Sequence, residues 1–263
     1  MRLPHTLSTI VWLPLNAAQA VVTVVWMAFW VTVALVATAL TRSPRASLWL
    51  ARRVWAPGQV ATAIAWVRAS GVDRVDWSRP CLLVANHQSW IDIPVLYRSV
   101  PVPLRFLAKQ ELARVPFLGA YIRAMGMVFV DRRDPRRAKA SVDRVAASLE
   151  TGAAIVSFPE GTRSADGRVG RFKSGAFDAV LAAGADVVPV GIVGAGRVLP
   201  RDGFRVRPGR IEVRVGAPIP TRGLGRGDRA ELARRAEEAV RVLVEGASQP
   251  HPPPAVSSTN RTT

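Results

Sequence analysis

The chain has one cysteine, Cys81, among 263 residues, so an intrachain disulfide is excluded. Cys81 opens the apolar run Cys81-Leu82-Leu83-Val84-Ala85, which reads as a buried strand and gives its thiol a packing role, not a nucleophilic one. Histidine is nearly as scarce. His5, His87 and His251 stand far apart and show neither helical nor zinc-type spacing, so a metal site is not expected. Acidic residues number 19 against 36 lysines and arginines, for a formal net charge of +17. Such an excess implies an anionic partner: nucleic acid, phosphorylated substrates or an anionic membrane surface. Helix-turn-helix, zinc-finger and aromatic-basic stacking patterns are absent, which argues against nucleic acid. A Gly-x-Ser-x-Gly elbow is also missing, so no serine nucleophile is expected. No internal repeat is present.

What the chain does have is a long apolar run. Ala17 to Leu40 is interrupted only by Gln19 and a few threonines. Its 24 residues, as a helix of about 36 Å, exceed a hydrocarbon core of about 30 Å. That length allows a full crossing or a seat in one leaflet. Pro14 and Asn16 interrupt a shorter apolar stretch before it, Leu7 to Leu15. Arg42, Arg45, Arg52 and Arg53 follow the run and outweigh Arg2 and His5 before it. The positive-inside tendency then puts the C-terminal side in the cytoplasm, with the run in the inner (plasma) membrane of the cell. A cleaved signal peptide ending at Ala37-Thr38-Ala39 and a buried core helix are the competing readings. Six of the eight tryptophans precede residue 67, and Leu48 to Val67 mixes Trp49, Trp55 and Trp66 with arginines. Tryptophan favours the headgroup level, so this second segment is expected on the membrane surface.

From Pro80 onward short apolar runs alternate with helical stretches. The expected strands are Cys81–Ala85, Leu104–Ala108, Met127–Val130, Ala153–Phe158, Val187–Ile192 and Ile211–Val215. Asp134-Pro135 reads as the start of a helix that carries Ala138, Val142, Val145, Ala146 and Leu149 on one face. Ala176 to Ala183 reads as a second helix, ended by Gly184, and Arg229 to Val244 as a third. The alternation predicts an α/β domain. Residues 1–67 are expected to anchor the chain, 68–246 to form the domain, and 247–263, rich in Pro, Ser and Thr, to be a disordered tail.

Two short segments carry the chemistry. Asn86-His87-Gln88-Ser89-Trp90-Ile91-Asp92 sets an imidazole and a carboxylate five residues apart at the end of an expected strand. A neutral imidazole can take a proton from an alcohol near pH 7, and a carboxylate on its other nitrogen fixes the tautomer. Phe158-Pro159-Glu160-Gly161-Thr162-Arg163 follows another expected strand. Gly161 permits a sharp turn whose N–H groups can face an anion, and Arg163 can grip a phosphate with two parallel bonds. Lys109, Arg132, Arg133 and Lys173 are further cation candidates. Together the parts suit acyl transfer to a phosphorylated alcohol by direct attack, without a covalent enzyme intermediate.

The ordered blocks between about residues 80 and 195 resemble the 1-acyl-sn-glycerol-3-phosphate acyltransferases. Asn86, His87 and Asp92 match that family's first block. Lys109, Glu111, Leu112, Pro116 and Gly119 match the second, followed by Gly126, Phe129, Val130, Asp131 and Arg132. The third, Phe158 to Ser164, is complete, and Val188-Pro189-Val190-Gly191 matches the fourth. The resemblance implies a mixed-sheet α/β domain flanked by helices and attached by an N-terminal helical membrane motif. It implies transfer of an acyl chain from acyl-CoA or acyl carrier protein to the 2-hydroxyl of lysophosphatidate, giving phosphatidate for phospholipid synthesis. It makes His87 the base and Asp92 its partner. Glu160, Gly161, Thr162 and Arg163 become acceptor-binding, with Lys109 and Arg132 as secondary phosphate ligands. No metal or other cofactor is implied, because the thioester is already activated. Glycerol 3-phosphate, another lysophospholipid or a lyso-ornithine lipid are the alternative acceptors. A nonenzymatic basic protein on anionic membrane lipids is the alternative of another class.

Overall fold

The computed structural model describes residues 5–131 and 135–246. Arg132, Arg133, Asp134 and the tail from Ala247 lie outside them. The first helix, α1 (His5–Thr41), runs without a break through Pro14 and Asn16, where the apolar pattern is interrupted. Asn16 is accommodated because its Nδ2 donates to Trp12 O at 2.7 Å, one turn back. After a turn at Arg42, helical chain continues through α2 (Arg45–Leu50), a π-helical stretch (Ala51–Trp55) and α3 (Ala56–Thr62). The widened stretch lies just before Pro57, whose ring a regular helix would press against the carbonyl one turn earlier.

α1 runs antiparallel along this second helical stretch. Gln19 Nε2 donates to Thr62 O at 3.3 Å, Trp26 Nε1 to Trp55 O at 3.2 Å, and Ser47 Oγ to Ala34 O at 2.8 Å. The Trp26 ring lies so close to Gly58 that an added Cβ would stand 2.1 Å from it. Apart from this docked stripe α1 is open. Only 6 % of its most apolar window is buried, so it is not a core helix.

Seven strands form one sheet: β1 (Ala65–Ser70), β2 (Cys81–Ala85), β3 (Leu104–Lys109), β4 (Val128–Val130), β5 (Ala154–Ser157), β6 (Asp186–Val193) and β7 (Gly209–Val215). Their order is β1-β7-β6-β2-β5-β3-β4, all parallel except the antiparallel β6–β7 pair. The six strands expected from the sequence are all present, Cys81–Ala85 with the same bounds and the other five with shifted ends. β2 is buried throughout because both faces of the sheet are covered. Cys81, Leu83 and Ala85 face a core shared with α2, α3 and α4 (Asp92–Ser99). Leu82 and Val84 face the other core, under α6 (Pro135–Glu150), α7 (Phe177–Ala183) and α9 (Arg229–Glu245). Among the described residues the two remaining α-helices are α5 (Leu118–Ala124), which packs on α1, and the short α8 (Ala195–Val198).

β1 is the strand the sequence reading missed. It pairs in parallel with β7 from Ala65 to Ser70, inside and just beyond the segment expected on the membrane surface. The sheet therefore begins at Ala65. Trp49 and Trp66 are exposed as expected for interfacial residues, but Trp55 is 9 % exposed and packs edge-on against Tyr97. Cys81 is buried, and burial pushes its thiol up to about 12, which bars it from acting as a nucleophile near neutrality.

Candidate active site

The carboxyl ends of β2, β5 and β6 point the same way, and their loops meet above the sheet. This is where open α/β sheets commonly place ligands. Asn86 leaves β2 and exchanges two bonds with β6: its Nδ2 donates to Ile192 O at 2.9 Å, and Ile192 N donates to its Oδ1 at 2.7 Å. This amide continues the ladder past the end of β2 and fixes where His87 emerges. Sequence reading assigned Asn86 to a motif but no role.

Asp92 opens α4 and is fully buried. Its Oδ2 lies 2.7 Å from His87 Nδ1 and accepts Gln88 N–H at 2.8 Å and Ser89 N–H at 2.9 Å. With Nδ1 turned to this acceptor oxygen, Nε2 is the ring nitrogen left free to meet a substrate. The turn over residues 88–91 thus brings the carboxylate back as the five-residue spacing had predicted. Phe158 stacks on the imidazole, ring centroids 4.0 Å apart and planes 16° apart, so the ring is held on a face as well as an edge.

The second segment closes on the first. Glu160 Oε1 accepts His87 N–H at 2.9 Å, Glu160 Oε2 accepts Gly170 N–H at 3.2 Å, and Ser164 N donates to His87 O at 2.7 Å. Burial raises the Glu160 carboxyl above its ordinary value, and the two N–H bonds partly counter that rise. Both oxygens of Glu160 are thus engaged with main chain. The side chain holds the histidine loop in place, which the acceptor-binding expectation had not foreseen. Gly161 has φ of +77°, as a sharp turn needs, but its N–H donates to Phe158 O at 3.0 Å and does not face an anion. Thr162 is exposed.

Arg163 stands at the lip. Its guanidinium lies 4.8 Å from the Trp90 ring centroid and donates to Arg201 O at 2.8 Å. Neither Trp90 nor Arg201 was singled out from the sequence. Trp90 had the signal of lying between His87 and Asp92, whereas Arg201 had none, being 38 residues from Arg163. Gln88, also missed, ties the loops together: Gly196 N donates to its Oε1 at 3.3 Å, and its Nε2 donates to Gly167 O at 3.2 Å. Lys109 ends β3, exposed, two strand positions from β2, or about 10 Å across the sheet. Arg132 falls outside the described residues. A cavity of about 480 Å³ lies between α6 and α7; Asp131 and Lys173 line it, and neither His87 nor Arg163 does.

The site sets an imidazole, held by a buried carboxylate, in a loop tied to a cationic lip. The chain that carries it is similar to known proteins. The Acyltransferase family model matches residues 67–193. A 1-acyl-sn-glycerol-3-phosphate acyltransferase of Pseudomonas aeruginosa is 32 % identical over 216 residues, covering 80 % of this chain and 82 % of that protein. A lyso-ornithine lipid O-acyltransferase of the same organism is 34 % identical over 188 residues, covering 65 % and 70 %. The crystal structure of the acyltransferase PlsC from Thermotoga maritima superposes with a TM-score of 0.77 at 27 % identity, covering 92 % of this chain and 98 % of that one. Against chloroplast relatives from plants the match spans only about two fifths of their length, 41 % and 39 % in two cases. From the matched span, the shared fold and the ordered motifs, the chain belongs to the 1-acyl-sn-glycerol-3-phosphate acyltransferase family.

Proposed function

We propose that the protein transfers an acyl chain from acyl-CoA or acyl carrier protein to the 2-hydroxyl of 1-acyl-sn-glycerol 3-phosphate, giving phosphatidate for phospholipid synthesis. The observation that carries this reading is the 2.7 Å contact between His87 Nδ1 and the buried Asp92. His87 Nε2 takes the proton of the 2-hydroxyl as that oxygen attacks the thioester carbonyl. The tetrahedral intermediate collapses, the C–S bond breaks, and the imidazolium returns the proton to the leaving thiolate. Ester and free thiol result. Asp92 steadies the imidazolium between the two transfers. Arg163 meets the acceptor phosphate, with Lys109 and Arg132 as secondary phosphate ligands, while Glu160, Gly161 and Thr162 shape the loop that carries it.

The attachment of α1 supports a membrane-held acceptor. Its outer face is apolar and open, with Val21, Val24, Val25, Phe29 and Leu40 all more than half exposed. Its docked stripe, from Gln19 to Thr38, holds the rest of the chain along the middle of the apolar run. A perpendicular crossing would draw polar chain into hydrocarbon, so we place α1 in one leaflet. The domain then sits on the cytoplasmic side of the inner membrane, where the soluble thioester donor is held, and basic residues add attraction to anionic lipids.

The lyso-ornithine lipid relative favours a second acceptor. Purified full-length protein, given palmitoyl- or oleoyl-CoA and a panel of lysophosphatidate, glycerol 3-phosphate, lysophosphatidylglycerol and lyso-ornithine lipid, separates the readings. Phosphatidate is the expected main product. Preferred acylation of lyso-ornithine lipid would replace the acceptor and keep the chemistry.

A further inference from the structure

We propose that Arg201 is a second arm of the acceptor-phosphate site, and that the Arg163–Arg201 pair selects a phosphate monoester over singly charged or phosphate-free headgroups. The proposal rests on the acyltransferase reading above and names the specificity of that same site.

The two arginines come from separate loops, after β5 and after β6, and hold each other by reciprocal bonds. Arg163 NH1 donates to Arg201 O at 2.8 Å, and Arg201 NH1 donates to Arg163 O at 2.9 Å. Each guanidinium spends one N–H in this way and keeps the others of its five for a ligand. Trp90 supplies a π face to Arg163 and is itself 59 % exposed, so the ring backs the cation without covering the lip. Among the described residues Arg163 pairs with no carboxylate. Arg201 approaches only Asp202, at 3.8 Å, and that carboxylate is 89 % exposed, a screened contact of little strength. Two fixed cations on one lip repel each other, and an anion of double charge relieves both at once. The lip is tied to the base, because Ser164, next to Arg163, donates to His87 O, and Gly196, before Arg201, donates to Gln88.

A phosphate monoester carries about −1.5 to −2 at pH 7, with its second ionisation near pH 6, whereas a diester carries a single charge. Arginine forks suit such an oxyanion better than a point charge does. The pair thus favours lysophosphatidate over lysophospholipids with a diester headgroup and over lipids without phosphate.

The test compares lysophosphatidate with its phosphate methyl ester, both with one acyl-CoA and the detergent-solubilised full-length protein. The quantity is the ratio of the two kcat/KM values from pH 5 to 8. The other charged groups on these loops, His87, Glu160, Asp166, Arg168, Arg171, Lys173, Arg197, Asp202, Arg205 and Arg207, are common to both assays, so a change confined to the monoester follows the phosphate. The wild-type ratio should rise through about pH 6. Arg201→Gln keeps a side-chain amide donor near Arg163 O, and should lower the ratio at pH 7.5 about tenfold and flatten the rise. Arg201→Lys should recover only part, and Trp90→Leu should cost about threefold in lysophosphatidate kcat/KM. Thermal unfolding of each variant checks the fold. An unchanged ratio in folded Arg201→Gln and Arg201→Lys, beside a reduced one in Arg163→Ala, would overturn the role of Arg201 and leave the acyltransferase reading standing. Absence of turnover by the wild-type protein on every acceptor would remove both.

Discussion

His87 and Asp92 could be paired from sequence because the contact is local: five residues, one turn and the start of a helix. The same logic fails for Glu160. Its partners, His87 N–H and Gly170 N–H, lie 73 and 10 residues away, and no local pattern shows a carboxylate reaching back to main chain. Motif membership placed Glu160 with the acceptor, while its geometry makes it a brace. Two substitutions separate these roles. In the proposed mechanism Asp92→Asn takes away the carboxylate that steadies the imidazolium, so kcat should fall at least about 100-fold, the common scale of acid–base catalysis, with acceptor KM changed less than threefold. Glu160→Ala leaves two partly buried N–H groups without acceptors, at a cost of up to about 1–3 kcal/mol for each group. Its signature should be a lower thermal midpoint and a lower kcat with acceptor KM nearly unchanged. A large rise in acceptor KM at unchanged stability would return Glu160 to the acceptor.

At the scale of elements, the buried parallel strands were the most legible. β2, β5 and β6 read as continuous apolar runs because both faces of the sheet are covered. β1 did not. It is an edge strand, Ala-Trp-Val-Arg-Ala-Ser, mostly exposed, and its tryptophan and arginine resemble a membrane-surface segment. The pairing that makes it a strand lies more than a hundred residues away in β7. Likewise, apolar length revealed α1 but not its docking onto α2 and α3, which depends on Gly58 leaving room for Trp26. Gly58→Val should push the Trp26 ring off its seat and destabilise the protein by about 1–3 kcal/mol, the usual range for overpacking. Thermal unfolding in detergent measures it. Trp26→Ala combined with Gly58→Val should lose less than the sum of the two single losses, since Trp26→Ala removes the ring that the valine would strike. Strict additivity would show that the two residues do not meet.

For the whole molecule, an apolar helix and a net charge of +17 act together but respond differently to salt. The Debye length falls from about 10 Å at 0.1 M to about 3 Å at 1 M, which screens attraction to anionic lipid and leaves apolar burial intact. Full-length protein should stay with the membrane pellet through a high-salt wash and leave with detergent. A chain starting near Arg45 should bind less tightly, and most of what remains should be salt-sensitive. Release of the full-length protein by salt alone would contradict the seating of α1 in lipid. Charge and apolar length were readable from composition. The docking of α1 on which the proposed seat in one leaflet rests was not, because it is made by contacts at Gln19, Trp26, Ala34 and Thr38 that only the folded chain displays.

The most direct measurement of the central claim is acceptor-dependent release of free thiol from palmitoyl-CoA by purified full-length protein, with His87→Ala as the paired sample. The account predicts stoichiometric release of thiol and formation of phosphatidate when lysophosphatidate is present. It also predicts a rate at least about 100-fold lower for a folded His87→Ala protein. Thiol release at the wild-type rate by folded His87→Ala would contradict it.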